Sequence, residues 1–288
     1  MKLNNKKMTK IFVNHWNFHH KNVLGLKMII KYANLELVNS IEDADIIYSS
    51  DVPLDSTKYR NKKFIFGPQF SIFPEQSFFN LNNKYNNTVY IVPSLWTKEF
   101  FIEFGANKSN VEILQTPFPV DINKFSPQNL MKDKIFIYFK NRNQKDLKYI
   151  TKFLESKNIN PIVFEYSKYS EENYIKTLHE SLYGIWISGS ESQGFALQEA
   201  LSTNIPLIVW NVNNFSQNYG YNDTNVKTPV TSLPYWSDIC GEIFYTEDEF
   251  LTKYETFILN LNKYQPRKYI LDNLDVENCY NKYWKKLF

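Results

Sequence analysis

Short apolar runs alternate with helical stretches along this chain, and the alternation happens twice, once on each side of a proline-bearing segment. In the first half, residues 10–15, 44–48, 63–66, 89–93 and 111–114 read as strands, and 25–33 and 97–104 as helices. Strands separated by helices do not close tight hairpins. They pair in parallel through right-handed crossovers, which predicts an open α/β sheet. Residues 116–127 (TPFPVDINKFSP) set prolines among Asp and Asn and read as an extended linker. The second half restarts the pattern. Strands are expected at 134–139, 161–165, 184–187 and 205–210, and helices at 144–156, 171–182, 196–202, 246–260 and 271–287. The run IPLIVW at 205–210 is that of a strand buried on both faces.

This predicts two Rossmann-like domains facing each other across a cleft. The first spans 1–122 and the second 123–267, with a final helix over about 268–288 packing back on the first. At ~100–200 residues per domain, 288 residues accommodate two. Ligands of open α/β sheets bind outside the carboxyl ends of the strands, so the chemistry is expected in the loops that follow them.

Composition narrows the classes. With 43% hydrophobic and 22% charged residues, the chain can bury a core and is not broadly disordered. Only 8 glycines exclude collagen-like and Gly-rich chains. Two cysteines, Cys240 and Cys279, exclude a disulfide scaffold or an all-cysteine zinc module and read as small buried hydrophobes. A net charge of +3 and a pI near 8.5 are too mild for a nucleic-acid binder. Nearly all the basic residues are lysine, the bias of an AT-rich genome, so Arg142 in a predicted loop draws notice. Residues 1–10 are polar and lack a leader's apolar stretch, and no apolar run approaches ~20 residues. The expectation is a soluble, cytoplasmic protein. Residues 280–288 mix Tyr, Trp and Phe with Lys: a docked terminal helix, or a face for peripheral membrane contact.

The most informative stretch is 188–210, SGSESQGFALQEALSTNIPLIVW. A strand ends, a small-residue turn follows with Glu191 and Gly194, and a helix carries Glu199. Gly194 permits a tight turn and close approach to a ligand. The N–H groups of Gly194, Phe195 and Ala196 would open the helix toward anionic or hydroxyl oxygens. Two carboxylates in one pocket suit a polyhydroxylated ligand, since each accepts several hydroxyl bonds. The alternative is that Glu191 complements the helix end and Glu199 lies on a solvated face.

ESQGFALQEALSTNIPLIV resembles the donor-site signature of retaining GT-B glycosyltransferases, particularly glycosyltransferase family 4, in which two Glu separated by seven residues enclose a Gly-containing turn. VPSLWTKEFF at 92–101 resembles the segment ending the family's first domain, and PFPVDINKFSP at 117–127 its interdomain segment. The resemblance implies a GT-B fold and a hexosyl- or related transferase that moves a sugar from a nucleotide sugar, UDP- or GDP-linked, to a saccharide or other hydroxyl acceptor. It implies that Glu199 binds ribose hydroxyls, that Glu191 binds hydroxyls of the sugar, and that the amides of Gly194, Phe195 and Ala196 hold sugar and phosphates. The family's basic pair on the diphosphate matches Lys140 and Lys145 in FKNRNQKDL, with Arg142 between them; Lys145 with either Lys140 or Arg142 is expected. Basic groups and a helix N-terminus neutralise a leaving phosphate, so no metal and no other cofactor is expected, and retention of configuration follows from the family.

Departures from the family are also legible. Gln69 in FIFGPQF stands where the family often has a His near the reacting centre. The loop HWNFHHKNVLG has only Gly25 where a glycine-rich turn is expected, and His15, His19 and His20 place it near the acceptor. KTPVTSLPY at 227–235 is expected to close over the donor, and among Phe164, Tyr166, Tyr169 and Tyr174 one ring would stack on the base. The competing readings are a degenerate GT-B sugar-binding or assembly module and a nucleotide-sugar epimerase on the same fold.

Overall fold

The computed structural model describes residues 8–68, 87–106, 111–221 and 225–288. It divides into two compact units: the chain up to Pro119 together with Val276–Phe288, and Val120–Asp275.

The first unit holds a sheet of six parallel strands: β1 (Lys10–Val13), β2 (Glu36–Val38), β3 (Ile46–Ser49), β4 (Lys63–Phe66), β5 (Thr88–Val92) and β6 (Glu112–Gln115), ordered β2-β1-β3-β4-β5-β6. β3 is buried at every position, as expected for a parallel strand covered on both faces. Helix α1 (His20–Tyr32) starts five residues before the apolar pattern suggests. It buries Asn22, Gly25, Leu26, Ile29 and Ile30, one stripe at helical spacing. Gly25 is therefore a packing residue inside a helix: a Cβ there would lie 2.6 Å from the Phe118 Cβ. Helix α2 (Leu95–Glu103) opens on a capping box in which Ser94 and Thr97 bond reciprocally. β2 was not expected from the sequence; it is three residues long and lies at the sheet edge.

The second unit holds five parallel strands: β7 (Lys134–Lys140), β8 (Ile162–Glu165), β9 (Ser181–Ser188), β10 (Leu207–Trp210) and β11 (Gly241–Phe244), ordered β11-β10-β9-β7-β8. Its helices are α3 (Gln144–Ser156), α4 (Glu171–Glu180), α5 (Phe195–Ser202), α6 (Glu247–Leu259) and α7 (Pro266–Asn273). Ile137, Ile150, Leu154, Ile185, Ile208, Phe250 and Phe257 form its core. Gly184 permits dense packing: a Cβ would meet the Phe136 ring at 2.3 Å. The Tyr138 and Trp186 rings stack on adjacent strands, 3.9 Å apart and 7° from parallel.

One long helix was expected over 271–287. Instead α7 ends at Asn273, in the second unit, and α8 (Val276–Cys279) runs into a π turn at Tyr280–Trp284 and a final 3₁₀ turn in the first. Trp284 and Leu287 are buried there. The Trp284 indole donates to the Pro117 carbonyl at 2.8 Å, and Lys63 Nζ donates to the Lys286 carbonyl at 3.0 Å. Among the described residues no helix is long and apolar enough to cross a membrane.

Candidate active site

In the second unit β7 lies between β8 and β9, so the chain leaves β7 in one direction across the sheet and returns in the other. The crevice outside the strand ends at such a reversal is where open α/β sheets bind ligands. β7 ends at Lys140 and β9 at Ser188, and those two residues are register partners.

Lys140 Nζ donates to Glu191 Oε2 at 2.8 Å, with the side chains 18% and 10% exposed. The same ammonium lies 4.4 Å from the centre of the Tyr166 ring, within cation–π range. The loop carrying Glu191 is held from several sides. Glu191 N donates to the Thr231 carbonyl at 2.9 Å, and Ser190 N to Asn218 Oδ1 at 2.6 Å. Ser232 Oγ donates to the Ser188 carbonyl at 2.8 Å. Asn211 Oδ1 in turn accepts from Thr231 Oγ1 and from Ser232 N. The 227–235 segment, expected to close over a donor, thus contributes Thr231 and Ser232 to bracing the Glu191 loop.

Gly194 sits just ahead of α5 with φ 77° and ψ 48°, the left-handed conformation that glycine adopts without strain. As N-cap it supplies no side-chain acceptor to the first turn, so the positive end of α5 is left to the loop around it. An ideal Cβ at Gly194 would stand 3.7 Å from Glu191 Cβ, which puts that carboxylate's stem beside the helix start.

Glu199, on α5, is 6% exposed. The two glutamates share a layer of phenols. Burial raises the Tyr138 hydroxyl's pKa, and the charge of Glu191 raises it further. Burial also raises Tyr169, where the hydrogen bond from Tyr138 works the other way and the charges of Glu199 and Glu191 both contribute. Tyr174 is raised by burial, then by Tyr169 and Glu199, and its hydroxyl donates to the Ala196 carbonyl at 2.8 Å. Tyr169 therefore lies within electrostatic reach of both carboxylates.

The structure therefore gathers Lys140, Glu191, Gly194, Phe195, Ala196 and Glu199. Arg142 is engaged elsewhere. Its guanidinium grips Asp146 through Nε and Nη2 at 2.9 and 2.8 Å, and Nη1 donates to the carbonyls of Trp210 and Ser188 at 3.2 and 3.4 Å. It ties β9, β10 and α3 together below the site's loops. Lys145 is the exposed second residue of α3, one past the Asn143 cap and its first helical neighbour, and among the described residues it joins no ion pair. Gln69 lies outside the described residues. Sequence reasoning missed Tyr138, Asn211 and Asn218: the first reads as an ordinary strand residue, and the two asparagines fall in a long polar loop.

No family model matches the sequence, and no curated protein matches it either. Solved structures do match. A variant of S. aureus TarM in complex with fondaparinux, alpha-GlcNAc-glycerol and UDP aligns over 92% of this chain with a TM-score of 0.52 and 16% identity; this chain spans 58% of that one. The apo lipopolysaccharide outer core galactosyltransferase WaaB aligns over 97% of this chain and 99% of its own, with a TM-score of 0.54 and 13% identity. Sucrose-phosphate synthase from Thermosynechococcus elongatus gives a TM-score of 0.53 at 11% identity, over 93% of this chain and 77% of that one. Likeness at such identities speaks for architecture, and by it this chain, with its two parallel sheets and their helices, has the α/β fold of the GT-B glycosyltransferases.

Proposed function

We propose that the chain transfers a sugar from a nucleotide sugar to a saccharide or other hydroxyl acceptor, without a divalent metal and with retention of configuration. The observation that carries this reading is the Lys140–Glu191 pair at the reversal of the second sheet, beside the glycine-opened start of α5 and within one phenol layer of buried Glu199. TarM, with UDP and a sugar conjugate in its complex, and WaaB, a galactosyltransferase, support sugar transfer as the class; the UDP of the TarM complex makes UDP-sugars the first donors to test, and the family resemblance adds GDP-sugars.

The roles follow from charge and hydrogen-bonding capacity. Glu199 accepts from the two ribose hydroxyls, a task for a carboxylate with two oxygens. Glu191, its carboxylate held by Lys140, accepts from hydroxyls of the transferred sugar. The bond from the sugar's anomeric carbon to the diphosphate oxygen breaks as the acceptor's hydroxyl oxygen bonds that carbon, the hydroxyl proton passes to the departing diphosphate, and negative charge grows on the diphosphate in between. The amides of Gly194, Phe195 and Ala196 and the ammonium groups of Lys140 and Lys145 stabilise that charge. One such donor is typically worth about 10²–10³ in rate. Lys145 with Lys140 is the basic pair: the Arg142 guanidinium is buried against Asp146 and two carbonyls, whereas Lys140, paired with Glu191 through one bond, keeps further ammonium protons to donate.

The test is a thermal-shift screen of the purified chain against UDP-, GDP-, CMP- and dTDP-sugars. A donor at ~100 times its dissociation constant stabilises by about 2.7 kcal/mol. Stabilisation by one donor class, lost in Glu199→Ala, supports the assignment; no shift with any donor rejects it.

A further inference from the structure

Beyond β10 the chain folds back over the two loops that carry Lys140 and Glu191. It first forms a 3₁₀ turn at Phe215–Gln217, which its own side chains specify. Asn214 Oδ1 accepts from Ser216 N at 2.9 Å, and Gln217 Oε1 accepts from the N–H groups of Asn213 and Asn214 at 2.8 and 3.0 Å. Phe215 is buried, and its ring meets Tyr221 edge-on with centroids 5.2 Å apart.

Asn218 follows that turn and is 5% exposed. Its Oδ1 accepts from Ser190 N at 2.6 Å and from Ser190 Oγ at 3.1 Å, and its Nδ2 donates to the Phe215 carbonyl at 2.8 Å. An N–H at one end and a carbonyl at the other fix which way the carboxamide points. A carboxylate would lack the donor, and an aliphatic side chain would lack donor and acceptor alike. Gly189 makes the seat possible: a Cβ there would stand 2.2 Å from Asn218 Oδ1. One residue on, Tyr219 N donates to the Asn141 carbonyl at 2.9 Å. Asn141, directly after Lys140, takes the left-handed conformation at φ 50°. The two loops are also joined to each other, Gly189 N donating to the Lys140 carbonyl at 2.8 Å.

These bonds fall on the neighbours of the paired residues: Asn141 follows Lys140, and Ser190 precedes Glu191. Thr231 holds the amide of Glu191 itself from the far side. Asn218 holds the near side, the stretch that joins Glu191 to β9. Placement matters here, since an error of about 1 Å can cost about 10²-fold in rate. We propose that Asn218 is a positioning residue of this site: by holding Gly189 and Ser190 it sets where the Glu191 carboxylate stands against Lys140. That this placement serves turnover rests on the sugar-transfer reading above; the hold itself does not.

The intact chain is tested as wild type, Asn218→Ala, Gly189→Ala, Glu191→Ala and the double variant Asn218→Ala/Glu191→Ala, all well below their melting temperatures. Amide hydrogen exchange by NMR, calorimetric titration with UDP and GDP, and steady-state turnover with UDP- and GDP-sugars are measured. In Asn218→Ala the Ser190 amide should exchange at least about tenfold faster, while the strand amides of Ile185 and Ile208 keep their protection. Turnover should fall at least about tenfold, with the donor KM and the affinity for the bare diphosphate within about threefold of wild type. Gly189→Ala, whose Cβ displaces the carboxamide, should give the same split and carries the test if Asn218→Ala does not fold. The double variant should be no slower than Glu191→Ala, because Asn218 acts through Glu191.

Unchanged exchange at Ser190 overturns the proposal whatever the chain catalyses. Undiminished turnover in Asn218→Ala beside an impaired Glu191→Ala overturns it too. So does a loss of diphosphate affinity equal to the loss of turnover, which assigns Asn218 to the fold of the whole site, and so does a double variant slowed by both factors multiplied. No turnover by wild type, or full turnover by Glu191→Ala, refutes the sugar-transfer reading instead. Faster exchange at Ser190 alone then still upholds the hold by Asn218, so the two failures are distinguishable.

Discussion

Lys140 and Glu191, 51 residues apart in sequence, meet at 2.8 Å because their strands, β7 and β9, are neighbours that end in register. The pair is largely shielded, so each residue depends on the other. Lys140→Ala leaves Glu191 without that partner in a site of low exposure. Truncating one member of a hydrogen-bonded, shielded charge pair costs about 1–3 kcal/mol. Lys140→Ala should therefore lower the melting temperature as well as turnover, whereas Lys145→Ala, at an exposed position, should lower turnover with little change in melting. Equal melting losses in the two variants would count against the distinction.

Glu191→Ala should cut turnover far more than it weakens binding of the bare nucleoside diphosphate, because its assigned contact is with the sugar. Glu199→Ala should do the reverse and weaken nucleotide binding. Titration calorimetry with the diphosphate, beside steady-state rates, separates the two; a Glu199→Ala protein with wild-type affinity rejects the ribose role.

Gly194 and Gly184 should respond to substitution for different reasons. At Gly194 a Cβ has room, its nearest neighbours being 3.7 Å away, so Gly194→Val acts through the left-handed backbone, at roughly 1–2 kcal/mol, and through a displaced helix start. A β-branched side chain there would also stand between the backbone and an approaching ligand. At Gly184 the Phe136 ring stands 2.3 Å from the new Cβ, so Gly184→Ala should lose far more stability with no special effect on ligand binding. Denaturant unfolding of both, with donor titration, distinguishes them.

The fold should weaken in alkali. Burial pushes the Cys240 thiol up to about 12 and raises the phenols of Tyr138 and Tyr174 above their ordinary value of 10.0. Above pH ~9 the unfolded chain releases these protons while the folded chain keeps them. Their contribution is thus fully present below the unfolded values and is lost as pH rises. Melting temperature should fall between pH 9 and 11, and Cys240 should resist alkylation at pH 8 until the chain unfolds. Rapid modification of the native protein would contradict the burial argument.

Transfer should persist in EDTA, since the groups assigned to the diphosphate are ammoniums and amides. Activity abolished by EDTA and restored by manganese or magnesium would overturn the metal-independent mechanism.

Much of the architecture was legible because buried parallel strands are written as apolar runs: 44–48, 63–66, 134–139 and 205–210 all fall on strands of the structure. The edges were harder. β2 (ELV) and β11 (GEIF) are short strands at the sheet borders and carry acidic residues, so no apolar run marks them. The last helix looked continuous because apolar spacing persists through 271–287, and spacing does not reveal that α7 and α8 serve different units. At the site, Glu191, Gly194 and Glu199 were visible as a local pattern. The partner of Glu191 was not, because strand register and not sequence distance selects Lys140. Arg142 looked like a phosphate ligand between two lysines, yet its partner Asp146 stands four residues on, one helical turn away, where the sequence already offers it.

The site built on Lys140, Glu191 and Glu199 is proposed to transfer a sugar from a nucleotide donor. Mass spectrometry of the purified wild-type chain, incubated with UDP- and GDP-sugars and a saccharide mixture, tests it most directly, with folded Glu191→Ala in parallel. Wild type should release nucleoside diphosphate with a matching sugar-extended product, and the variant at least about 10²-fold less. No release by wild type from any donor, or equal turnover by Glu191→Ala, would contradict it.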